Sequence, residues 1–265
     1  MICGYRLTRS KPPNFDMEKS ILIPGGFSVD IYADMTRQPH LLIAGATGSG
    51  KSCVVYGIIR ELLYRPPGDN PGGAGLILID PKRVELSRFR PLPHCLLYAS
   101  EPPDMLAALR QGLTLIEKRF KHMQRHGMRQ YQGGDVYIII DELADLMTTA
   151  RRDVLPLLQR IAQIGRAAKV HLICCTQSPI ARIIPTEIKC NFDARLGLRT
   201  RSAQDSRNII GIAGLENLPR FGQGYYMTPE RAGLYKLPYV SDADIDSLIN
   251  HWTAQKRSII NLFKH

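Results

Sequence analysis

No stretch of this chain is apolar for long enough to cross a membrane. Residues 1–14 carry charges and two prolines where a secretory leader would carry an apolar core. The expectation from both absences is a soluble, cytoplasmic protein. The six cysteines form no CxxC pair, and Cys3, Cys53, Cys95, Cys174, Cys175 and Cys190 lie without framework spacing. That excludes a zinc ribbon and a disulfide scaffold, and it fits reduced, idle thiols. Internal repeats and low-complexity tracts are missing too, which excludes a solenoid. Acidic residues are in deficit: 24 Asp+Glu stand against 35 Lys+Arg, a net charge of +11. A polyanionic partner follows, nucleic acid first. At 265 residues and 44% hydrophobic, the chain has the length and apolar content of one large α/β domain with short extensions.

The chemistry begins at Gly45-Ala46-Thr47-Gly48-Ser49-Gly50-Lys51-Ser52. Its glycine spacing is that of a phosphate-binding loop. Leu41 to Ala44 precede it as a buried strand. Val54, Val55, Ile58, Ile59, Leu62 and Leu63 follow at helical spacing. Strand, glycine loop and helix are the context the motif requires. In it the backbone N–H groups from Gly45 to Cys53 face phosphate oxygens and the helix dipole adds positive charge. Lys51 would neutralise the β and γ phosphates of ATP, and the Ser52 hydroxyl would hold Mg²⁺. Val136 to Ile140 read as a second buried strand, tipped by Asp141 and Glu142. After a P-loop at this distance, Asp141 supports Mg²⁺ and Glu142 polarises the attacking water. His171 to Gln177 form another apolar run with a polar end, placing Thr176 and Gln177 as sensors of the γ phosphate.

The remaining pattern is that of a mostly parallel sheet flanked by helices. Gly25-Gly26 reads as a turn, and Phe27, Val29 and Ile31 alternate as a half-buried strand. Leu76 to Asp80 is a buried strand, Leu96 to Tyr98 a short one, and a long helix starts near Pro103 and stops at Gly127. A helix is expected over Arg151 to Ala167, with Leu155, Leu158, Ile161 and Ile164 inward and Pro156 in its first turn. Ser178 to Pro185 reads as a loop, Ala194 to Thr200 as a strand, and Ser202 to Asp205 as a capping box opening a helix. A hairpin over residues 222–237, a second capping box over Ser241 to Asp244 and a short helix over Ile245 to Trp252 close the chain.

Several of these stretches together resemble the FtsK/SpoIIIE family of DNA translocases. The P-loop segment does. So does Ile79-Asp80-Pro81-Lys82-Arg83-Val84-Glu85-Leu86, which generic P-loop proteins lack. Asp141-Glu142-Leu143-Ala144-Asp145-Leu146 matches the family's Walker B, and Arg160 to Ala168 with His171-Leu172-Ile173 its next segment. Thr176-Gln177, Ile188-Lys189, Asn191 and Asp205-Ser206-Arg207 follow in the family's order, and the likeness covers roughly residues 20 to 254. The resemblance implies a RecA-like P-loop NTPase over residues 39–254. An N-terminal extension with its entry strand would occupy 1–38, and a basic tail 255–265. It implies a homo-hexamer around double-stranded DNA, with ATP between subunits and Arg166 supplied in trans to the neighbour's nucleotide. Lys189 and Arg207 would fall at or near pore-facing elements and hold DNA phosphates, with Arg201 close by. Two positions depart from the family: Ser178-Pro179 stands where Arg-Pro is usual, with Arg182 nearby, and Ala203 replaces a lysine. The family's membrane-spanning region, its extra motor subdomain and its DNA-orientation-reading winged helix have no counterpart in these 265 residues, so the expectation is either a stand-alone compact motor or a fragment. The implied activity is ATP-driven movement of duplex DNA in transfer or segregation. A conjugative coupling or packaging ATPase is the alternative within the superfamily. Outside it, the alternatives are an ATP-gated, non-hydrolysing DNA-binding module, against which Glu142 counts, and a small-molecule kinase, against which Asp80-Pro81-Lys82 counts.

Overall fold

Each long apolar run of the sequence becomes a strand in the middle of one sheet. The computed structural model describes residues 20–23, 31–35, 37–236 and 239–262. Two short strands, β1 (Ser20–Ile23) and β2 (Ile31–Asp34), pair antiparallel as a separate sheet. The Gly25-Gly26 turn, Phe27 and Val29 lie outside the described residues, and of the expected entry strand only the stretch from Ile31 is described. The main elements then follow in order: β3 (Leu41–Ala44), α1 (Lys51–Leu62), β4 (Ala74–Ile79), β5 (Cys95–Ala99), α2 (Pro102–Arg125), β6 (Asp135–Ile140), α3 (Leu143–Thr149), α4 (Arg151–Ile164) and β7 (Val170–Thr176). After these come α5 (Thr186–Lys189), β8 (Ala194–Leu198), α6 (Ala203–Ile210), β9 (Gln223–Met227), β10 (Ala232–Lys236) and α7 (Asp242–Leu262).

The eight-stranded sheet has the order β10-β9-β8-β3-β7-β6-β4-β5. From β8 to β5 all neighbours are parallel, and β9 and β10 add an antiparallel edge. Every residue of β3, β4, β6 and β7 is buried, as expected of parallel strands covered on both faces. Alternation divides them: Leu41, Ile43, Tyr137, Ile139, Ile173 and Cys175 join α1 and the start of α7 on one side. Leu42, Ile138, Ile140, Leu172 and Cys174 join α2, α3 and α4 on the other. This is the α/β P-loop fold expected from the sequence pattern.

Four local expectations change. Pro156 stands inside α4, at its sixth residue and beyond the first turn. It removes the N–H that would serve the Arg152 carbonyl, and both residues are exposed, so water can serve that carbonyl instead. Helix α4 ends at Ile164, and its fully buried stripe is Val154, Leu158, Ile161 and Ala162, with Leu155 and Ile164 only partly covered. The stretch after β7 gains the one-turn α5, and β8 stops at Leu198, two residues before the expected end. Finally, α7 is 21 residues long and runs through residue 254 to Leu262. Its capping box is as expected: Asp244 N donates to Ser241 Oγ and Ser241 N to Asp244 Oδ2, both at 3.2 Å. No helix among the described residues is long and apolar enough to span a membrane.

Candidate nucleotide site

The sheet topology gathers the chemical residues at one edge. Because β7 lies between β3 and β6, the carboxyl end of β7 separates the P-loop from the acidic tip of β6. Register makes the three level: Ala44 pairs with Thr176, and Ile140 with Cys174, so Glu142 stands opposite Thr176.

The P-loop is wedged between β7 and β8. Gly45 N donates to Thr176 O at 3.2 Å and Ala46 N to Arg199 O at 2.8 Å. A Cβ on Gly45 would stand 2.7 Å from both Leu198 Cβ and Ser49 Oγ, so only glycine fits there. Gly48 and Gly50 take φ of 71° and 97°, the left-handed region that glycine enters without strain. No side chain caps α1, so its first N–H groups remain available to an anion. Lys51 is buried inside the loop it belongs to, donating to Gly45 O at 3.2 Å and Ala46 O at 3.5 Å. Burial pushes its pKa down, against the pull of Cys175, Glu142 and Asp141. Thr47 Oγ1 donates to Gln177 Oε1 at 2.7 Å, tying the loop to the residue after β7.

Glu142 is nearly fully buried and well held. Its Oε1 accepts from Thr176 Oγ1 at 2.8 Å, Gln177 N at 3.1 Å and Ala144 N at 3.3 Å. Its Oε2 accepts from Gln177 N at 3.2 Å and from Lys82 Nζ at 3.4 Å. Asp141, its neighbour, has the opposite environment. No donor among the described residues reaches its carboxylate. Burial first, then the charges of Asp80, Glu85 and Glu142, push its pKa up to about 7. A buried carboxylate without a donor among three others is a position suited to a cation. Together with the Ser52 hydroxyl it offers the oxygen donors Mg²⁺ takes, one or two from protein with the rest from phosphate and water. No group of three or more acidic, His or Cys side chains among the described residues is arranged to hold a metal ion by itself.

Three contributors to this edge have no role in the sequence reading. Lys82 reaches Glu142, and Ser52 Oγ donates to Glu85 Oε1 at 2.8 Å. Both belong to the Asp80–Leu86 stretch, whose motif was visible but whose targets, 60 and 33 residues distant, were not. Arg220 lies against Gly48, with Nη2 3.3 Å from where a Cβ would be. It sits in an exposed loop with no motif to single it out.

The other sequence candidates lie elsewhere. Arg166 is exposed, four residues before β7 begins, at the opposite edge of the sheet from the P-loop. Seven residues of strand separate the two edges, about 20 Å. Arg166 therefore cannot reach its own subunit's P-loop. It borders an open groove with Phe120, Arg129, Gln163 and Ile164. Lys189, half-buried at the end of α5, precedes β8, whereas exposed Arg201 follows it and exposed Arg207 lies on α6. The three candidate DNA contacts are thus not gathered in one subunit: Lys189 is at the entry end of β8 and Arg201 at its exit. Cys53 is half-buried on α1.

Comparison with known proteins bears on the family and the fold. The FtsK/SpoIIIE family profile matches residues 16–138 and 133–181. The chain is 34% identical to the DNA translocase FtsK of Rhizobium meliloti (strain 1021) over 87% of its own length and 31% of that protein's. It is 32% identical to the DNA translocase SpoIIIE of Bacillus subtilis (strain 168), over 86% and 31%. It spans about a third of the length of these curated relatives. In fold it is similar to the pCW3 conjugation coupling protein TcpA, solved with ATPγS, at a TM-score of 0.75 and 24% identity over 85% of this chain and 67% of that one. The cytoplasmic domain of the Thermomonospora curvata Type VII secretion ATPase EccC gives 0.73 and 22% over 88% and 30%. The P-loop, the acidic tip of β6, the Thr-Gln end of β7 and the match over most of the chain lead to one assignment: the chain belongs to the FtsK/SpoIIIE family.

Proposed function

We propose that this chain is the motor of an ATP-dependent double-stranded DNA translocase. ATP would bind at Gly45–Cys53, and subunits would assemble as a homo-hexamer around the duplex. The observation that carries the reading is Glu142, buried and fixed by Thr176, Gln177 and Lys82 on a level with the P-loop. A switch that only bound nucleotide would have no use for so closely held a base.

The residues divide the work as follows. Backbone N–H groups of the loop and the Lys51 ammonium bind the phosphates. Ser52 and Asp141 would hold Mg²⁺, which when bound would neutralise charge on the phosphate oxygens. Glu142 orients the attacking water and accepts its proton at a carboxylate oxygen. Thr176 and Gln177 both hold Glu142, and Gln177 also holds the P-loop through Thr47, so a γ phosphate on the loop would be felt at the base. Arg166, remote from its own P-loop, would complete the neighbouring subunit's site. Lys189, Arg201 and Arg207 would hold DNA phosphates without reading bases, as a motor that runs over any sequence requires.

The test is ATP hydrolysis with and without duplex DNA. The rate should rise with DNA, and the stimulation should decline with salt as phosphate contacts are screened. Lys51→Ala should abolish nucleotide binding, while Glu142→Gln should bind ATP and not turn it over. A rate indifferent to duplex, or a Glu142→Gln variant hydrolysing at the wild-type rate, overturns the reading.

A further inference from the structure

Beyond its charge near Asp141, Glu85 has no role assigned above, yet its carboxylate is committed at both oxygens to helix α1. Ser52 Oγ donates to Oε1 at 2.8 Å, and the Tyr56 hydroxyl donates to Oε2 at 3.0 Å. Ser52 and Tyr56 are four residues apart, so they stand on one face of the helix, and the carboxylate lies across that face. The surroundings keep it there. Asp80, fully buried, accepts from Leu86 N at 2.9 Å and Ser87 N at 3.2 Å and so closes the loop that carries Glu85. Leu86, next in sequence, is buried in the core with α1. The Tyr56 ring packs edge-on against Phe89 at 5.5 Å, with the Arg88 guanidinium 5.4 Å from its centre.

A serine hydroxyl has one proton and two lone pairs. With the proton given to Glu85, the lone pairs are what Oγ has left for a cation, and the rotamer is set before the cation arrives. A carboxylate that accepts from a ligating group also makes that group the better donor to metal. We propose that Glu85, held by Tyr56, is a positioning residue that orients and polarises the Ser52 hydroxyl toward Mg²⁺. The Asp80–Leu86 stretch then serves both halves of the site, Glu85 on the serine and Lys82 on Glu142. This inference rests on the reading of Ser52 as a Mg²⁺ ligand.

The test is the affinity of a fluorescent ATPγS analogue for the full chain, measured across a Mg²⁺ titration and again in EDTA. Glu85→Ala should weaken binding in Mg²⁺ by about tenfold, within the 10–100-fold cost of losing such a partner, and leave binding in EDTA unchanged. Glu85→Gln, which keeps an acceptor oxygen and the side-chain shape, should lose less. In a Ser52→Ala background Glu85→Ala should cost nothing more. An equal loss in EDTA would mean that Glu85 only holds the loop in place, and an unchanged Mg²⁺ increment would mean that it does not act on Ser52; either result overturns the proposal. Should the wild-type chain bind no nucleotide, the nucleotide reading falls first and this one with it. Should it bind, with Glu85→Gln and Glu85→Ala both matching it, Glu85 alone is refuted.

Discussion

The Thr176 hydroxyl has its one proton on Glu142 Oε1, 2.8 Å away and fully shielded from solvent. Hydrogen bonds to charged groups contribute about 1.5–3 kcal/mol. Thr176→Val keeps the volume and removes this donor, so Glu142 is left less firmly placed. We expect turnover to fall by one to two orders of magnitude with ATP affinity nearly unchanged. Steady-state kinetics separates the two, and a loss appearing only in KM would contradict the assignment. Gln177 differs in that its backbone N–H, not its side chain, serves Glu142. Its side chain serves Thr47 instead, so substituting it disturbs the loop before it disturbs the base.

At the scale of elements, the two ends of the sheet are built for different purposes. The amino ends of β3, β6 and β7 carry a buried polar network with no nucleotide chemistry. His40 Nδ1 accepts from Leu172 N at 2.9 Å, so Nε2 carries the proton and donates to Ala162 O, also at 2.9 Å. Burial, with His171 nearby, lowers its pKa to about 3. Below pH 6.5 the unfolded chain therefore takes up a proton that the folded chain refuses, and stability falls as pH falls from about 6.5 toward 3. This one group sets a slope of about 1.4 kcal/mol per pH unit. His40→Gln keeps a donor and an acceptor but does not titrate. Its urea-unfolding free energy should fall less steeply between pH 6.5 and 4, and identical slopes would remove His40 from the account. On α4, Pro156 leaves Arg152 O without a helical partner at an exposed position. Pro156→Ala should stabilise the protein, by up to about 3 kcal/mol, seen as a higher melting temperature; a lower one would show that the chain needs the proline at this position.

For the whole molecule, the sheet keeps Arg166 and the P-loop at opposite edges, about 20 Å apart. On the proposed reading of Arg166, a subunit would present half of a site at each end of its strands, and pairing between subunits would complete it. Arg166→Ala and Lys51→Ala should each be inactive alone. Mixed, the Lys51→Ala subunits carry intact Arg166 to intact P-loops, and ATPase activity should partly return. No recovery at any mixing ratio would leave Arg166 with a role inside its own subunit. Lys189 and Arg201 lie at opposite ends of β8, so if both hold DNA as proposed, the path would have to be lined by successive subunits.

Local chemistry written in consecutive residues was legible from the sequence: the P-loop glycines, the apolar runs that must be strands buried on both faces, the acidic tip of β6 and the capping boxes. Each depends on neighbours in the chain, through φ preference, periodicity or a cap three residues away. Pro156 shows the limit of such reading. Its tolerance in α4 depends on the exposure of the Arg152 carbonyl, which the packing of the helix decides and the proline's own preference does not. The partners of Glu142 and Ser52 were beyond reach for a stronger reason. Lys82, Thr176 and Glu85 reach them across 33 to 60 residues of chain, through strand order and register that no local pattern encodes. From the chain alone, a phosphate loop and an acidic pair on an α/β scaffold could be read. Which side chains hold them in place follows from folding, because β7 inserts between β3 and β6 and the Asp80–Leu86 stretch packs against α1.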